Sequence, residues 1–143
     1  MSADVITAHP EQNKLIVRRY YDEFLNTGDL DHAGEVLGFD LRQHSTMDIP
    51  DGLEGFRSFM APWYAAFPDL RYSIEDIYSE GNMVFVRSKV TGTNTGEFRG
   101  RSPTGRRFEV WQIDAYRVES DRIVEHWDMV DFPSLFRQVG LQL

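Results

Sequence analysis

Asp114, His126 and Asp128 are the side chains in this sequence best suited to moving protons, and the pattern around them suggests where they sit. Over Ile123–Phe132 apolar and polar residues alternate as in a strand. Val124, His126, Asp128 and Val130 share one face, and Ile123, Glu125, Trp127 and Met129 share the other. A carboxylate set between valines is costly to bury unless it is paired or used. The reading is that Asp128 is used, as an acid/base group. Asp114, in the run Arg106–Val118, has the parity of Phe108, Val110, Gln112 and Tyr116. The polar triplet Glu119-Ser120-Asp121 reads as a hairpin turn, so Gln112 and Asp114 could project into the same hollow as His126 and Asp128. Neighbouring carboxylates raise the pKa of one of them, which suits a base working near neutral pH. Alternatively, Asp114 pairs with an arginine and takes no chemical part. His126 also has two readings: a partner of one aspartate, or a core histidine satisfied by a backbone carbonyl.

Other chemistries are poorly represented. Cysteine is absent, which excludes thiol nucleophiles, disulfides and thiolate-bound zinc. His9, His32, His44 and His126 are scattered without ligand spacing, so no metal is expected. Neither a nucleophile-elbow serine motif nor a glycine-rich phosphate loop is found.

The elements that must hold these residues fall into two blocks. Pro10 and Glu11 suit a helix start, and the apolar stripe through Leu15, Ile16, Tyr20 and Phe24 ends at Asn26-Thr27-Gly28. Residues 1–11 are expected to be a loose tail. Asp29 should cap a short second helix through Leu37 that Gly38 ends, followed by an extended segment Phe39–His44. A third helix follows Pro50-Asp51-Gly52 and closes at Pro68-Asp69, with Pro62 expected to kink or divide it. The period then changes from 3.6 to 2, giving strand candidates at Leu70–Ser79, Met83–Thr93, Arg106–Val118 and Arg122–Asp131. Helices first and an antiparallel sheet afterwards make a single α+β domain over residues 1–143.

The run Ile123-Val124-Glu125-His126-Trp127-Asp128, with Asp131-Phe132 and Gln138-Val139-Gly140-Leu141 after it, resembles the end of the SnoaL-like polyketide cyclases. Phe67–Leu70, Gly92–Gly96 and Gly100–Arg106 match in the same order, so the likeness covers the chain from about Leu15 onward. The resemblance implies a nuclear transport factor 2-like fold, in which N-terminal helices pack on a strongly curved, mainly antiparallel sheet to form a cone-shaped barrel. It implies a cofactor-free enzyme closing a ring of an aromatic polyketide ester by intramolecular aldol condensation, with Asp128 as acid/base. Gln43 and His44 fall where the family has a polar pocket residue, and Gln112 matches a family glutamine. The family often has histidine where Asp114 stands here, a departure that leaves other reactions open: isomerisation, dehydration or hydroxylation, or binding without turnover. An epoxide-hydrolase-like Asp-Arg-Asp set is incomplete, because Lys89 stands two after Arg87. Trp63, Tyr64, Phe67 and Tyr116 are candidate pocket walls, two or three of which should touch a ligand. Trp111 is a further candidate, yet it also falls with Met83 and Phe85 on strand faces turned away from the pocket.

Charge narrows the partners. Fifteen Lys and Arg against 23 Asp and Glu give a net charge of −8, which disfavours nucleic acid and anionic membranes. No apolar run is long enough to span a bilayer, and a cytoplasmic location is expected. The outward apolar residues of the sheet call for cover by a second copy, in a homodimer or homotetramer.

Overall fold

The computed structural model describes residues 9–142, so the expected tail lies mostly outside the described residues. Where it is described, Pro10 and Glu11 already belong to the first helix. Helix α1 spans Pro10–Arg19, with Glu11 in its first turn and Arg18 and Arg19 in its last, charges that complement its dipole. It runs on into a π-helical turn over Tyr20–Leu25 that buries Tyr20, Tyr21, Phe24 and Leu25. It stops at Asn26-Thr27-Gly28, as the sequence indicated. The Asn26 amide clamps the backbone of Tyr72 through bonds of 2.8 and 2.7 Å, tying the helix end to the sheet.

Several local expectations give way. The short second helix is a 3₁₀ turn over Leu30–Glu35, and Asp29 makes no side-chain cap. Its carboxylate lies 3.0 Å from the His32 ring instead. Gly38 does not end a helix but lies inside strand β1, Leu37–His44. Helix α2, Leu53–Ala66, contains Pro62 without being divided.

The remaining elements are β2 (Arg71–Glu80), β3 (Met83–Thr93), β4 (Arg107–Glu119), β5 (Arg122–Val130) and α3 (Phe132–Val139). Every expected strand is present, with its ends within a residue or two of the reading from periodicity. The sheet order is β1-β5-β4-β3-β2, antiparallel except for the β1–β5 pair. Register shifts interrupt β1–β5, β2–β3 and β4–β5, and such bulges bend strands and curl the sheet around the helices. Inward residues of β3 and β4, including Val84, Val86, Val90, Phe108 and Val110, pack with the helices into one core.

The β4–β5 bulge corrects the reading of faces. Arg117 pairs with Glu125 but Val118 pairs with Ile123, leaving Val124 as the extra residue. Strict alternation put Val124 beside His126 and Ile123 outside. Instead Ile123 is fully buried and Val124 is half-buried, because the bulge shifts the strand's phase by one. The alternation holds from Glu125 onward.

Candidate active site

Three adjacent strands bring the polar residues together. In the β4–β5 register Asp114 faces Asp128, Tyr116 faces His126 and Gln112 faces Val130. In the parallel β1–β5 register Gln43 lies beside His126. Cross-strand partners on one face have Cβ atoms about 4.5–5.5 Å apart, so the pairing itself assembles the site.

Asp114 is 1% exposed and surrounded by donors. Gln112 Nε2 lies 3.1 Å from both of its oxygens, Tyr21 donates its hydroxyl to Oδ2 at 3.2 Å, and His126 Nε2 is 2.7 Å from Oδ1. The hydroxyls of Tyr21 and Tyr116 are 2.8 Å apart. Tyr116 stacks on the His126 ring at 4.8 Å, and Gln43 Oε1 meets His126 Nδ1 at 2.7 Å. Of the two readings of His126, the partner of an aspartate is the one realised, and that aspartate is Asp114. Asp114 has no arginine partner among the described residues.

Asp128 sits differently. Its side chain accepts one bond from the Ser45 hydroxyl, at 2.7 Å, and is 9% exposed. Burial pushes its pKa up and the Asp114 charge adds to that, while His126 and the Ser45 bond pull the other way. The outcome is a carboxyl group raised above its ordinary range.

These groups close one end of an apolar hollow whose empty space, open mouth included, is about 640 Å³. Trp63, Gln112, Asp114, Tyr116, His126 and Asp128 all line it, as the sequence suggested. Four other candidates lie elsewhere. Phe67 is fully buried core, edge-on to Phe108. Tyr64 turns its hydroxyl to the Leu25 carbonyl. Trp111 is on the outer face beneath Arg87 and Lys89. His44 is also outside, stacked on Trp127 and 2.7 Å from Glu125, because it alternates with the inward Gln43. Gln43 itself reaches the site through His126 and is not a wall.

Sequence reasoning missed Ser45, Tyr20 and Tyr21. Ser45 shares the parity of Gln43, which is a usable signal. Two consecutive inward tyrosines depend on the π turn, and no sequence pattern announced it. Ile49, Phe56, Met60 and Phe132 were also missed as walls.

One cluster has a spacing compatible with a cation: ligand atoms of Asp114, His126 and Asp128 lie within 4.8 Å of one another. Both ring nitrogens of His126 are already engaged, so a metal at Nε2 would have to displace the Asp114 contact.

Comparison with known proteins places the chain in one family. The family model described as SnoaL-like polyketide cyclase matches residues 15–139. Aklanonic acid methyl ester cyclase DnrD of Streptomyces peucetius is 30% identical over 129 residues, covering 87% of this chain and 88% of that protein. Nogalonic acid methyl ester cyclase of Streptomyces nogalater is 28% identical over 119 residues, covering 80% and 88%. Among solved structures, IdmH from Streptomyces antibioticus is similar at a TM-score of 0.80 with 32% identity, covering 91% of this chain and 99% of its own.

Proposed function

The chain belongs to the SnoaL-like polyketide cyclase family, and on that premise we propose that it closes a carbon ring in an aromatic polyketide ester by intramolecular aldol condensation. The observation that carries this is Asp128: a carboxyl group raised above its usual range by burial, at the polar end of an apolar hollow. Such a group is a stronger base than a solvated carboxylate. The methyl ester substrates named for the relatives support the substrate class.

Asp128 removes a proton from a carbon flanked by carbonyl groups, and the negative charge spreads into the substrate's own conjugated system. The carbanion attacks a ketone of the same molecule, forming the C–C bond, and the ketone oxygen becomes an alkoxide that takes up a proton. The net change is an isomerisation that needs no oxidant and no external nucleophile. The apolar walls fold the substrate so that the reacting carbons meet. Asp114 orients His126 in this scheme, since three donor groups satisfy its carboxylate.

Incubating the protein in excess chelator with an anthraquinone methyl ester bearing a β-keto side chain tests the reading. The expected product has unchanged mass and one ketone converted to a ring alcohol. A product that has gained oxygen or lost water as the primary event, or binding without consumption, would overturn it. A requirement for added metal would show that the Asp114–His126–Asp128 cluster works differently.

A further inference from the structure

Tyr21, Tyr64 and Tyr116 bond their hydroxyls within the protein. Tyr21 donates to Asp114 at 3.2 Å and lies 2.8 Å from the Tyr116 hydroxyl, and Tyr64 donates to the Leu25 carbonyl at 2.6 Å. Tyr20 differs. It lines the hollow and is only 4% exposed, yet its hydroxyl has no hydrogen-bond partner among the described residues. Protein atoms seal off the unpaired indole nitrogen of Trp63 but not the Tyr20 oxygen, which is left facing the hollow. A buried hydroxyl without a partner is destabilising, and phenylalanine would fill the same space without that penalty.

The fold fixes where this hydroxyl can act. The π-helical turn over Tyr20–Leu25 brings Tyr20 and Tyr21 inward together, and both are buried. The Tyr20 ring stands edge-on to Tyr116 at 6.0 Å, and Tyr116 in turn stacks on His126. Phe56, one of the apolar walls, lies 6.5 Å from the Tyr20 ring. Tyr20 therefore stands where the polar end of the hollow meets its apolar lining. Burial pushes its pKa well above the ordinary tyrosine value, and acidic neighbours including Asp114 and Asp128 add to this, so the hydroxyl keeps its proton and can donate it in a hydrogen bond. Tyr72 also lines the hollow without a hydroxyl partner among the described residues. It is only half-buried, however, and stands on β2, which β3 and β4 separate from Asp128 on β5.

We propose that the Tyr20 hydroxyl donates a hydrogen bond to the substrate's ketone oxygen, the one that becomes the alkoxide in ring closure. The proposal deepens the cyclase reading and rests on it for the identity of that oxygen. As the C–C bond forms, the ketone's π electrons move onto oxygen. A hydrogen bond that is modest to a neutral carbonyl then becomes a stronger one to an anion. Because the gain comes mostly in the transition state, it lowers the barrier more than it tightens binding. Asp128 returns to the alkoxide the proton it took from carbon, so the step balances while Tyr20 keeps its own.

The test begins with stability, which needs no substrate. Tyr20→Phe should melt at the parent temperature or above it, because it removes a buried hydroxyl that no protein group satisfies. Binding comes next, in the Asp128→Asn background so that no turnover intrudes. The anthraquinone ester with its β-keto side chain should bind about fivefold tighter than an analogue carrying methylene in place of that ketone, and adding Tyr20→Phe should abolish the preference. With Asp128 intact, Tyr20→Phe should lower kcat about 10²-fold, the ordinary worth of one oxyanion donor, and change KM far less. A Tyr20→Phe protein that melts well below the parent has lost a bond made within the fold, and that overturns the inference. Turnover at the parent rate overturns it too, as does a ketone preference that is absent from the start or survives the substitution. If Tyr72→Phe abolishes the preference and Tyr20→Phe does not, the donor is on β2 and the assignment to Tyr20 fails. A parent that consumes no ester sinks the cyclase reading instead, and the binding preference then decides by itself whether Tyr20 donates to a ligand carbonyl.

Discussion

Burial of the Asp128 carboxylate should lower the stability of the fold at neutral pH, and the direction of that effect can be measured. Its folded-state pKa lies above the unfolded value of about 3.9, so the folded protein holds its proton to higher pH than the unfolded chain does. Where the folded state binds more protons, stability falls as pH rises. The contribution is therefore favourable at low pH and is lost from about pH 4 upward through the folded pKa. Asparagine does not titrate, so Asp128→Asn should be more stable than the parent at pH 7, and the gap should close toward pH 4. Denaturant titrations at several pH values check this, and a parent that is the more stable at pH 7 would contradict it. Asp128, Asp114 and Gln112 were legible in the sequence because parity alone places them once the hairpin is recognised. His44 was misplaced because the family resemblance offered Gln43 and His44 together as pocket residues, whereas neighbours in a strand point to opposite faces.

Elements decide how accurately those side chains meet. The segment Gly92–Gly96 was legible only as a family motif, and the fold supplies its physical reason. Asn94 is fully buried, donates to the Gly96 carbonyl at 2.9 Å and accepts from the Thr104 backbone at 2.8 Å, while Gly96 N–H reaches the Ala66 carbonyl at 3.1 Å. This clamps the β3–β4 connection onto the end of α2. A Cβ on Gly96 would overlap the Ala65 carbonyl oxygen, and backbone has to move to admit it. Gly96→Ala should therefore cost about 1–3 kcal/mol, read as a lowered denaturant midpoint with unchanged slope; an unchanged midpoint would show that the clamp yields freely. Strand positions were readable because period 2 runs unbroken through β3 and β4 and persists on either side of the bulges in the other strands. The bulge at Val124 and the π turn at Tyr20–Leu25 were not. Each depends on one residue's worth of register, which tertiary pairing sets and local pattern does not.

At the scale of the whole molecule, the outer face of the sheet is the conspicuous exposed surface. Tyr78, Phe85, Trp111, Ile113 and Met129 stand there, between 46% and 68% exposed. The register places Tyr78 opposite Phe85 and Ile113 opposite Met129, so the patch runs across four strands. A second copy packed sheet to sheet would cover it. Sedimentation at micromolar concentration should give at least twice the chain mass, and Phe85→Glu should shift the species to monomer. A monomeric parent would remove the idea. The central claim is narrower: one carboxylate at the end of the hollow does the proton abstraction. Turnover and binding of the same anthraquinone ester, measured side by side for the parent, Asp128→Asn and Asp114→Asn, address it most directly. The account predicts that Asp128→Asn loses about 10²–10⁴ in kcat while binding the ester with nearly the parent affinity. An Asp128→Asn protein that turns over at the parent rate, beside an inactive Asp114→Asn, would contradict it and move the base to Asp114.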